Sequence, residues 1–254
     1  MKKLLLVLVF SLLLGKIWAN VQGVSNDTLP VGHALWDSLL HRHVQSDGFV
    51  NYKGMIADSA ALNQYLARLS AAQPDSKNWT RAEKMAFWIN AYNAFTVKLI
   101  VDHYPVGSIR DIKRGVPGGK TVWDKKFIRI DGKQYDLNKI EHGILRPDFK
   151  DARVHAAINC ASYSCPVLRN EAFVAEKLEQ QLDDAMRKFI NDPLRNRVSG
   201  KKAEISEIFN WFQDDFVRDA GSVRAYLNRF ARQKLSAAGQ ISYLTYRWDL
   251  NGVK

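Results

Sequence analysis

The chain has 254 residues, and Lys plus Arg exceed Asp plus Glu by 37 to 26, giving a formal net charge of +11 at pH 7. This length suits one large domain or two small ones, each with a hydrophobic core. The sequence contains no internal repeat and no low-complexity segment, which excludes repeat architectures.

The N-terminus has the layout of a secretory signal peptide. Lys2 and Lys3 precede an apolar run over 4–15, and Ala19 is a small residue before the expected cut. The run is too short for a membrane span, which takes about 20 residues. We therefore predict cleavage after Ala19 and export to the periplasm or the medium, with no transmembrane span in the mature chain. The predicted organisation is a signal peptide over 1–19, a flexible lead-in over 20–32 and a single globular domain over 33–254.

The positive charge bears on possible partners. An exported basic protein can contact anionic envelope components such as phospholipid, lipopolysaccharide or acidic polysaccharide. Nucleic acid is not expected as a partner, because export separates the protein from it. The positive charge can also serve solubility alone. A basic loop over 106–126 is the candidate surface, and no cofactor is predicted. The basic residues in and just before this loop are Lys98, Arg110, Lys113, Arg114, Lys120, Lys125 and Lys126.

Three helices are predicted in the N-terminal half from apolar residues at helical spacing. They cover 33–44, 58–69 and about 80–103, and Thr80 with Glu83 forms a capping-box signature for the third. The third helix is apolar nearly all round, which places it in the centre of the domain. Asn90 and Asn93 share one of its faces, and we expect their side chains either to form hydrogen bonds within the core or to point into a site.

The remaining elements predict an α+β fold, a single mostly helical domain around a small β-sheet. Asp131 and Gly132 form the turn of a hairpin over 126–135, and Asp136 caps a short helix ending at Leu145. The other predicted elements are a buried strand over 153–159, helices over 172–190, 204–217 and 222–235, and a last strand over 241–246.

The only two cysteines, Cys160 and Cys165, follow the predicted buried strand. In an oxidising compartment they can form a disulfide. Cys160 can instead be a nucleophile, with His155 or His142 as the base and Asn159 or a backbone N–H as the oxyanion donor. Zinc would accept the two cysteines with His155, but the spacing matches no established zinc pattern, so no metal site is predicted. Two unpaired thiols that only pack are the remaining alternative.

Two other polar segments favour structural interpretations when taken alone. Glu141 and His142 are adjacent in a short helix, where Glu141 can pair with Arg146 on a solvated face. Asp214 and Asp215 are expected to be exposed rather than catalytic. Neighbouring aromatic residues at helical spacing, Phe209, Phe212 and Phe216, are expected in the core.

Four motifs occur in the order found in the domain-of-unknown-function 547 family, and the chain resembles that family over about 35–235. They cover 87–94, 140–146, 155–166 and 208–216. The resemblance implies a fold and shared positions without an established reaction. Family members often have Ser at the position of Cys165 and keep a Cys like Cys160, which implies a functional Cys160. The resemblance makes six residues candidates to lie around that cysteine: Asn90, Asn93, Glu141, His142, His155 and Asn159. The residues suggested for binding are Asn90, Asn93, Ser162 and Ser164.

These observations leave two hypotheses. The first is an envelope enzyme for hydrolysis or acyl transfer, with Cys160 as nucleophile and a histidine as base. The second is a non-catalytic envelope binding module that uses the basic loop, with Cys160 and Cys165 as a structural disulfide. A helix meeting a strand that carries a histidine is loosely similar to papain-like and transglutaminase-like layouts. Here, however, the cysteine follows His155 by five positions instead of preceding it.

Overall fold

A computed structural model describes residues 29–113 and 118–253 of the chain. The predicted signal peptide and most of the predicted lead-in lie outside the described residues. In the described part, helices alternate with short strands, so the α+β prediction is confirmed. The helices are α1 (Ala34–His43), α2 (Tyr52–Ala57), α3 (Ser59–Ala71), α4 (Arg81–Val101), α5 (Leu137–Ile140), α6 (Arg146–Phe149), α7 (Val154–Ala157), α8 (Leu178–Ile190), α9 (Ile208–Trp211), α10 (Gln213–Ala220) and α11 (Val223–Phe230).

The strands form two separate small sheets. A two-stranded hairpin pairs β1 (Ile128–Ile130) with β2 (Lys133–Tyr135), and both turn residues, Asp131 and Gly132, have positive φ, as a tight hairpin turn requires. The second sheet has the order β3–β4–β5, antiparallel and then parallel. Its strands are β3 (Arg197–Val198), β4 (Lys202–Ser206) and β5 (Gln240–Leu244).

Helix α4 lies at the centre of the larger of two hydrophobic clusters, as its apolar surface predicts. The Thr80 hydroxyl accepts the Glu83 N–H while the Glu83 carboxylate accepts the Thr80 N–H, so the predicted capping box is present. The smaller cluster joins α8, α10 and α11 to the second sheet. No helix within 29–113 and 118–253 is both long and apolar enough to cross a membrane.

The predicted strand over 153–159 is wrong. The chain forms the single helical turn α7 there and becomes extended only at Ile158. A short continuous apolar run fits a buried helix as well as a buried strand, so periodicity does not separate them. The Asp151 carboxylate favours the turn because it accepts the Arg153 N–H at 2.9 Å.

Four predicted helices also have different bounds in the structure. The segment 204–217 divides into the end of β4, α9 and α10, because Ala203 and Ile205 are buried in alternation against β5. Helix α8 begins at Leu178 because the Asn90 and Gln181 side chains hold 172–174 extended. The short helix after Asp136 passes into a π-helical turn over 141–145, and the helix expected to reach 235 ends at Phe230.

Candidate functional site

Residues 159–166 form a tight loop that a single amide side chain closes. The Asn159 side chain accepts the Ala161 N–H at 2.8 Å and donates to the Pro166 carbonyl oxygen at 2.7 Å. Asn251 donates a third hydrogen bond to the same amide oxygen at 3.2 Å. Ala161 has a φ of 61°, which bends the backbone back on itself. Both polar atoms of Asn159 are thus engaged within the fold, where they position the loop instead of facing a substrate.

The far side of this loop is tied to the C-terminal part of the chain. Arg195 donates to the carbonyl oxygens of Tyr163 and Cys165. The Ser164 hydroxyl, which the sequence suggested for binding, accepts the Arg247 N–H at 2.9 Å. Ser164 therefore contributes to the attachment of the loop.

The two asparagines of α4 hold neighbouring backbone. Asn93 accepts the N–H of Asn159 at 2.8 Å and donates to the carbonyl oxygen of Ala157 at 2.9 Å. Asn90 makes the same pair of bonds with Phe173, at 3.1 and 2.7 Å. Of the two expectations for these residues, the structure shows the first: both side chains hydrogen-bond to backbone within the core. Asn93 fixes the entry into the cysteine loop to the central helix.

The Cys160 sulfur is surrounded by hydrogen-bond donors. It lies 3.1 Å from the Cys165 sulfur, 3.2 Å from the Ser162 hydroxyl and 3.4 Å from the Tyr246 hydroxyl. The Ser162 and Tyr246 oxygens are themselves 2.8 Å apart. Since each hydroxyl has one hydrogen, both can donate to a Cys160 thiolate only when they do not bond each other. None of these three partners is a histidine, so stabilisation of a thiolate at Cys160 needs no direct Cys–His contact.

The disulfide, one of the alternatives left open by the sequence, is absent from the structure: both cysteines are free thiols. A disulfide bond is about 2.05 Å long, much shorter than the distance observed. Hydrogen bonding from Cys165, with further donation from Ser162 and Tyr246, lowers the pKa of Cys160 to about 6. Burial and the adjacent Cys160 raise the pKa of Cys165 well above its usual range. At neutral pH, Cys160 is therefore a thiolate and Cys165 is the thiol that donates to it.

Glu141 begins the π-helical turn and is buried, contrary to the solvated helix face expected from the sequence. Local π-helical geometry recurs at functional sites because it redirects side chains. Burial, with a smaller contribution from Cys160, raises the pKa of Glu141 to about 7. Its carboxylate accepts the Tyr92 hydroxyl at 3.3 Å and makes no ion pair with Arg146. Glu141 can therefore give or take a proton near neutral pH.

His142 is exposed, and its Nδ1 atom accepts the Arg146 guanidinium at 2.9 Å. A guanidinium can only donate, so the neutral ring carries its proton on Nε2. Partial burial and the positive charge of Arg146 lower the pKa of His142. The ring is consequently neutral at pH 7, and its Nε2–H can donate a hydrogen bond.

His155 is buried against Asp215, which the sequence predicted to be exposed. Its Nε2 lies 2.8 Å from the Asp215 carboxylate, and its ring stacks on Phe212 at 4.1 Å. Arg146 and Arg218 contact the same carboxylate at 2.6 and 2.8 Å. Hydrogen bonds from His155 and Arg146 outweigh the burial of Asp215 and hold the pKa of its carboxyl well below the usual range. The ionised Asp215 fixes the proton of His155 on Nε2, while burial lowers the pKa of the ring.

These side chains line one cavity of about 170 Å³. Its inner wall contains the sulfurs, Glu141 and both histidines, and its outer wall is aromatic. Trp211 and Tyr246 are 4.8 Å apart, and Trp248 lies between Tyr246 and Trp123 with ring separations of 4.6 and 5.5 Å. The full lining comprises Tyr92, Trp123, Asn138, Glu141, His142, His155, Ile158, Cys160, Cys165, Ile208, Trp211, Phe212, Tyr246 and Trp248.

Cys160, Glu141, His142 and His155 are thus brought together, and Ser162 joins them through its contact with the sulfur. Sequence reasoning missed Asp215, Tyr246 and the tryptophans. Asp215 follows Phe212 by three residues, so the two share a helix face, and that spacing could have revealed it. Phe212 lies on the cavity, while Phe209 and Phe216 are buried in the core as predicted.

No group of three or more His, Cys, Asp or Glu side chains within the described ranges is placed to hold a metal ion. In the basic loop, Arg110 stacks over Trp248 at 5.1 Å, and Lys98, before the loop, pairs with Asp102. Residues 114–117 of that loop lie outside the described residues. The binding-module hypothesis therefore remains a prediction from the sequence.

A family model described as "Protein of unknown function, DUF547" matches residues 76–190. The matched segment contains α4, the π-helical turn and the cysteine loop, whereas Asp215 and Tyr246 lie beyond it. Neither a curated protein nor a solved structure matches the chain.

Proposed function

A DUF547 family model matches residues 76–190 of the chain, and with that match as the starting point we propose that the protein is a hydrolase or acyltransferase that uses Cys160 as its nucleophile. The observation that carries the proposal is the Cys160 sulfur, held by three donors and opening on the same cavity as Glu141, His142 and His155. Thiolates are the nucleophilic form of cysteine. The predicted signal peptide supports a place of action in the cell envelope.

The first chemical step is attack of the Cys160 thiolate on the carbonyl carbon of an acyl group. A carbon–sulfur bond forms, and the carbonyl π electrons move onto oxygen. Because sulfur loses its negative charge in this step, the hydroxyls of Ser162 and Tyr246 are freed to donate to the new oxyanion. Preorganised donors of this kind are the largest single contribution in many acyl-transfer enzymes.

Collapse of the tetrahedral intermediate expels the leaving group, which must receive a proton. Glu141 fits this role because its pKa of about 7 leaves it protonated in about half of the molecules at neutral pH. The resulting carboxylate then takes a proton from the water, or from the acceptor alcohol or amine, that attacks the thioester. That second step releases the acyl group and regenerates the thiolate and the protonated acid.

Asp215 and His155 have a supporting part in this scheme. The ionised carboxylate orients the ring, and Phe212 holds the ring plane by stacking. With the proton fixed on Nε2, Nδ1 is the atom left to accept a hydrogen bond. We assign Asp215 as a positioning residue for His155.

The cavity restricts the acyl group. A cavity of about 150 Å³ is large enough for a benzene ring, and the 170 Å³ found here is close to that size. Its aromatic wall favours an apolar occupant. We therefore propose short aliphatic or aromatic acyl groups, presented as esters or thioesters.

Acylation of the purified protein tests the proposal. The protein is incubated with butyryl and benzoyl thioesters of N-acetylcysteamine, and the reaction is followed by intact mass and by release of free thiol. We expect an acyl adduct on Cys160 that decays with turnover, no adduct in Cys160→Ala, and retained acylation in Cys165→Ser. If no acyl donor modifies Cys160 while iodoacetamide alkylates it readily, the thiolate exists but acyl transfer is not its chemistry.

A further inference from the structure

The acyl-transfer scheme uses Cys165 only as a hydrogen-bond donor, although the geometry of the two thiols allows more. Their sulfurs are 3.1 Å apart, so closing to the disulfide length of about 2.05 Å takes a movement of about 1 Å. The Asn159 bonds to Ala161 and Pro166 hold both ends of the intervening loop. The pair is therefore preset for a bond between its two sulfurs.

The two sulfurs are unlike in exposure. Both cysteines line the cavity, but Cys160 is partly exposed while Cys165 is buried. Cys160 also accepts from Ser162 and Tyr246, whereas the sulfur of Cys165 accepts the backbone N–H of Cys160 at 3.1 Å. When a partly exposed thiolate has a more buried thiol beside it at 3.1 Å, the second sulfur can attack the first after the first has been oxidised.

We propose that Cys160 and Cys165 form a hydroperoxide-reducing thiol pair, in which Cys160 reacts with the peroxide and Cys165 resolves the product to a disulfide. This activity requires the Cys160 thiolate but does not depend on acyl transfer. The aromatic wall of the cavity, including Trp211 and Trp248, admits alkyl and aryl hydroperoxides as well as hydrogen peroxide.

The first step oxidises Cys160. Its thiolate attacks the terminal peroxide oxygen, a sulfur–oxygen bond forms, and the oxygen–oxygen bond breaks. The departing alkoxide takes a proton from solvent and leaves as the alcohol. Cys160 becomes a neutral sulfenic acid, and the hydroperoxide has accepted two electrons.

The second step uses a change in electrostatics at Cys165. The negative charge on Cys160 is one cause of the raised pKa of Cys165, and that charge disappears on oxidation. The Cys160 N–H is in place to stabilise the new Cys165 thiolate. The thiolate attacks the sulfenic sulfur, a disulfide forms, and hydroxide leaves with a proton as water. A small external dithiol returns the pair to two thiols by exchange.

The disulfide state has a consequence for the proposed function. Oxidation consumes the nucleophile, so peroxide and acyl donors compete for Cys160. Acylation should be lost on formation of the disulfide and restored by dithiothreitol.

Peroxide treatment of the reduced, desalted protein tests this inference, with hydrogen peroxide and cumene hydroperoxide as probes. In the wild type we expect loss of the mass of two hydrogens, loss of both free thiols and full reversal by dithiothreitol. Cys165→Ser keeps a hydroxyl donor beside Cys160 and should instead accumulate a sulfenic acid that dimedone traps. Cys160→Ser should react at least about tenfold more slowly with peroxide, because the remaining thiol is buried and protonated.

Two outcomes would overturn the inference: two free thiols that persist in the folded wild type after peroxide treatment, or a dimedone adduct as abundant in the wild type as in Cys165→Ser. Measuring acylation and disulfide formation on the same protein distinguishes a failure of acyl transfer from a failure of the redox pair. A protein that forms the reversible disulfide but takes up no acyl group supports the redox pair and refutes the hydrolase. A protein that is acylated but forms no disulfide supports the hydrolase and refutes the redox pair.

Discussion

Replacing Cys165 with alanine removes the donor that contributes most to the low pKa of Cys160. A hydrogen bond to a charged group contributes about 1.5–3 kcal/mol, and one pKa unit corresponds to about 1.36 kcal/mol. The substitution should therefore raise the pKa of Cys160 from about 6 to between about 7 and 8. At pH 6 the thiolate fraction falls from about one half to about one tenth or less.

The assay is the pH dependence of Cys160 alkylation by iodoacetamide, with the modified residue identified by peptide fragmentation and each rate normalised to the plateau at high pH. The wild type should have its inflection near pH 6. Cys165→Ser is the matched control, because its hydroxyl can still donate, and its inflection should stay close to that of the wild type. An unchanged inflection in Cys165→Ala would refute the assigned donor, and so would a Cys165→Ser profile that coincides with that of Cys165→Ala.

Two further predictions concern the charged groups around the cavity. Glu141→Gln should remove the fall in acyl-transfer rate above about pH 7, since the amide cannot supply a proton. The same variant tests stability, because folding raises the pKa of Glu141 from 4.5 to about 7. As the pH rises from 4.5 to 7, the wild type should lose about 3 kcal/mol of unfolding free energy relative to Glu141→Gln. A difference independent of pH in urea denaturation would exclude a buried titrating Glu141. Asp215→Asn should cost about 3 kcal/mol at pH 7, because it leaves Arg146 and His155 without their carboxylate, whereas Arg218 keeps Asp219 as a partner. Asp214→Asn, on the exposed side of the same helix, should be nearly neutral. Because the pKa of Asp215 is depressed, the stabilisation by its carboxylate is present above pH 3.8, the ordinary value, and shrinks in stronger acid. Equal losses of stability in Asp215→Asn and Asp214→Asn would contradict the role assigned to Asp215.

Local chemistry made part of the fold predictable. The capping box at Thr80 and the hairpin turn at Asp131 and Gly132 depend on hydrogen bonds and dihedral angles within a few residues, and both are present. The apolar run at 153–159 was wrongly predicted to be a strand, because a short buried segment can be either a strand or a helix and its apolar residues do not distinguish the two. The helix predicted over 204–217 failed because pairing with β5, more than 30 residues later, was not visible in that window.

The candidate site, like the fold, could be predicted from the sequence only in part. The cysteine loop could be singled out from its polar residues, and the structure places Glu141, His142 and His155 on its cavity. Tyr246 could not be foreseen, because a tyrosine in an alternating strand carries no indication of a partner 86 residues earlier. The sequence also left open whether the cysteines form a disulfide, because a free thiol pair and a disulfide have the same spacing in sequence. In the structure both thiols are free.

The tie between the cysteine loop and the C-terminal segment has a consequence for how the protein is divided. The family match ends at residue 190, but Asn251 holds Asn159, Arg195 holds the loop backbone, and Tyr246 completes the donor set of Cys160. A fragment cut to the matched segment would retain the cysteine and lose one of the groups that make it acidic, together with the ties that hold its loop. Its thiol should titrate closer to an ordinary cysteine, so the matched segment and the chemically competent unit are different lengths of chain.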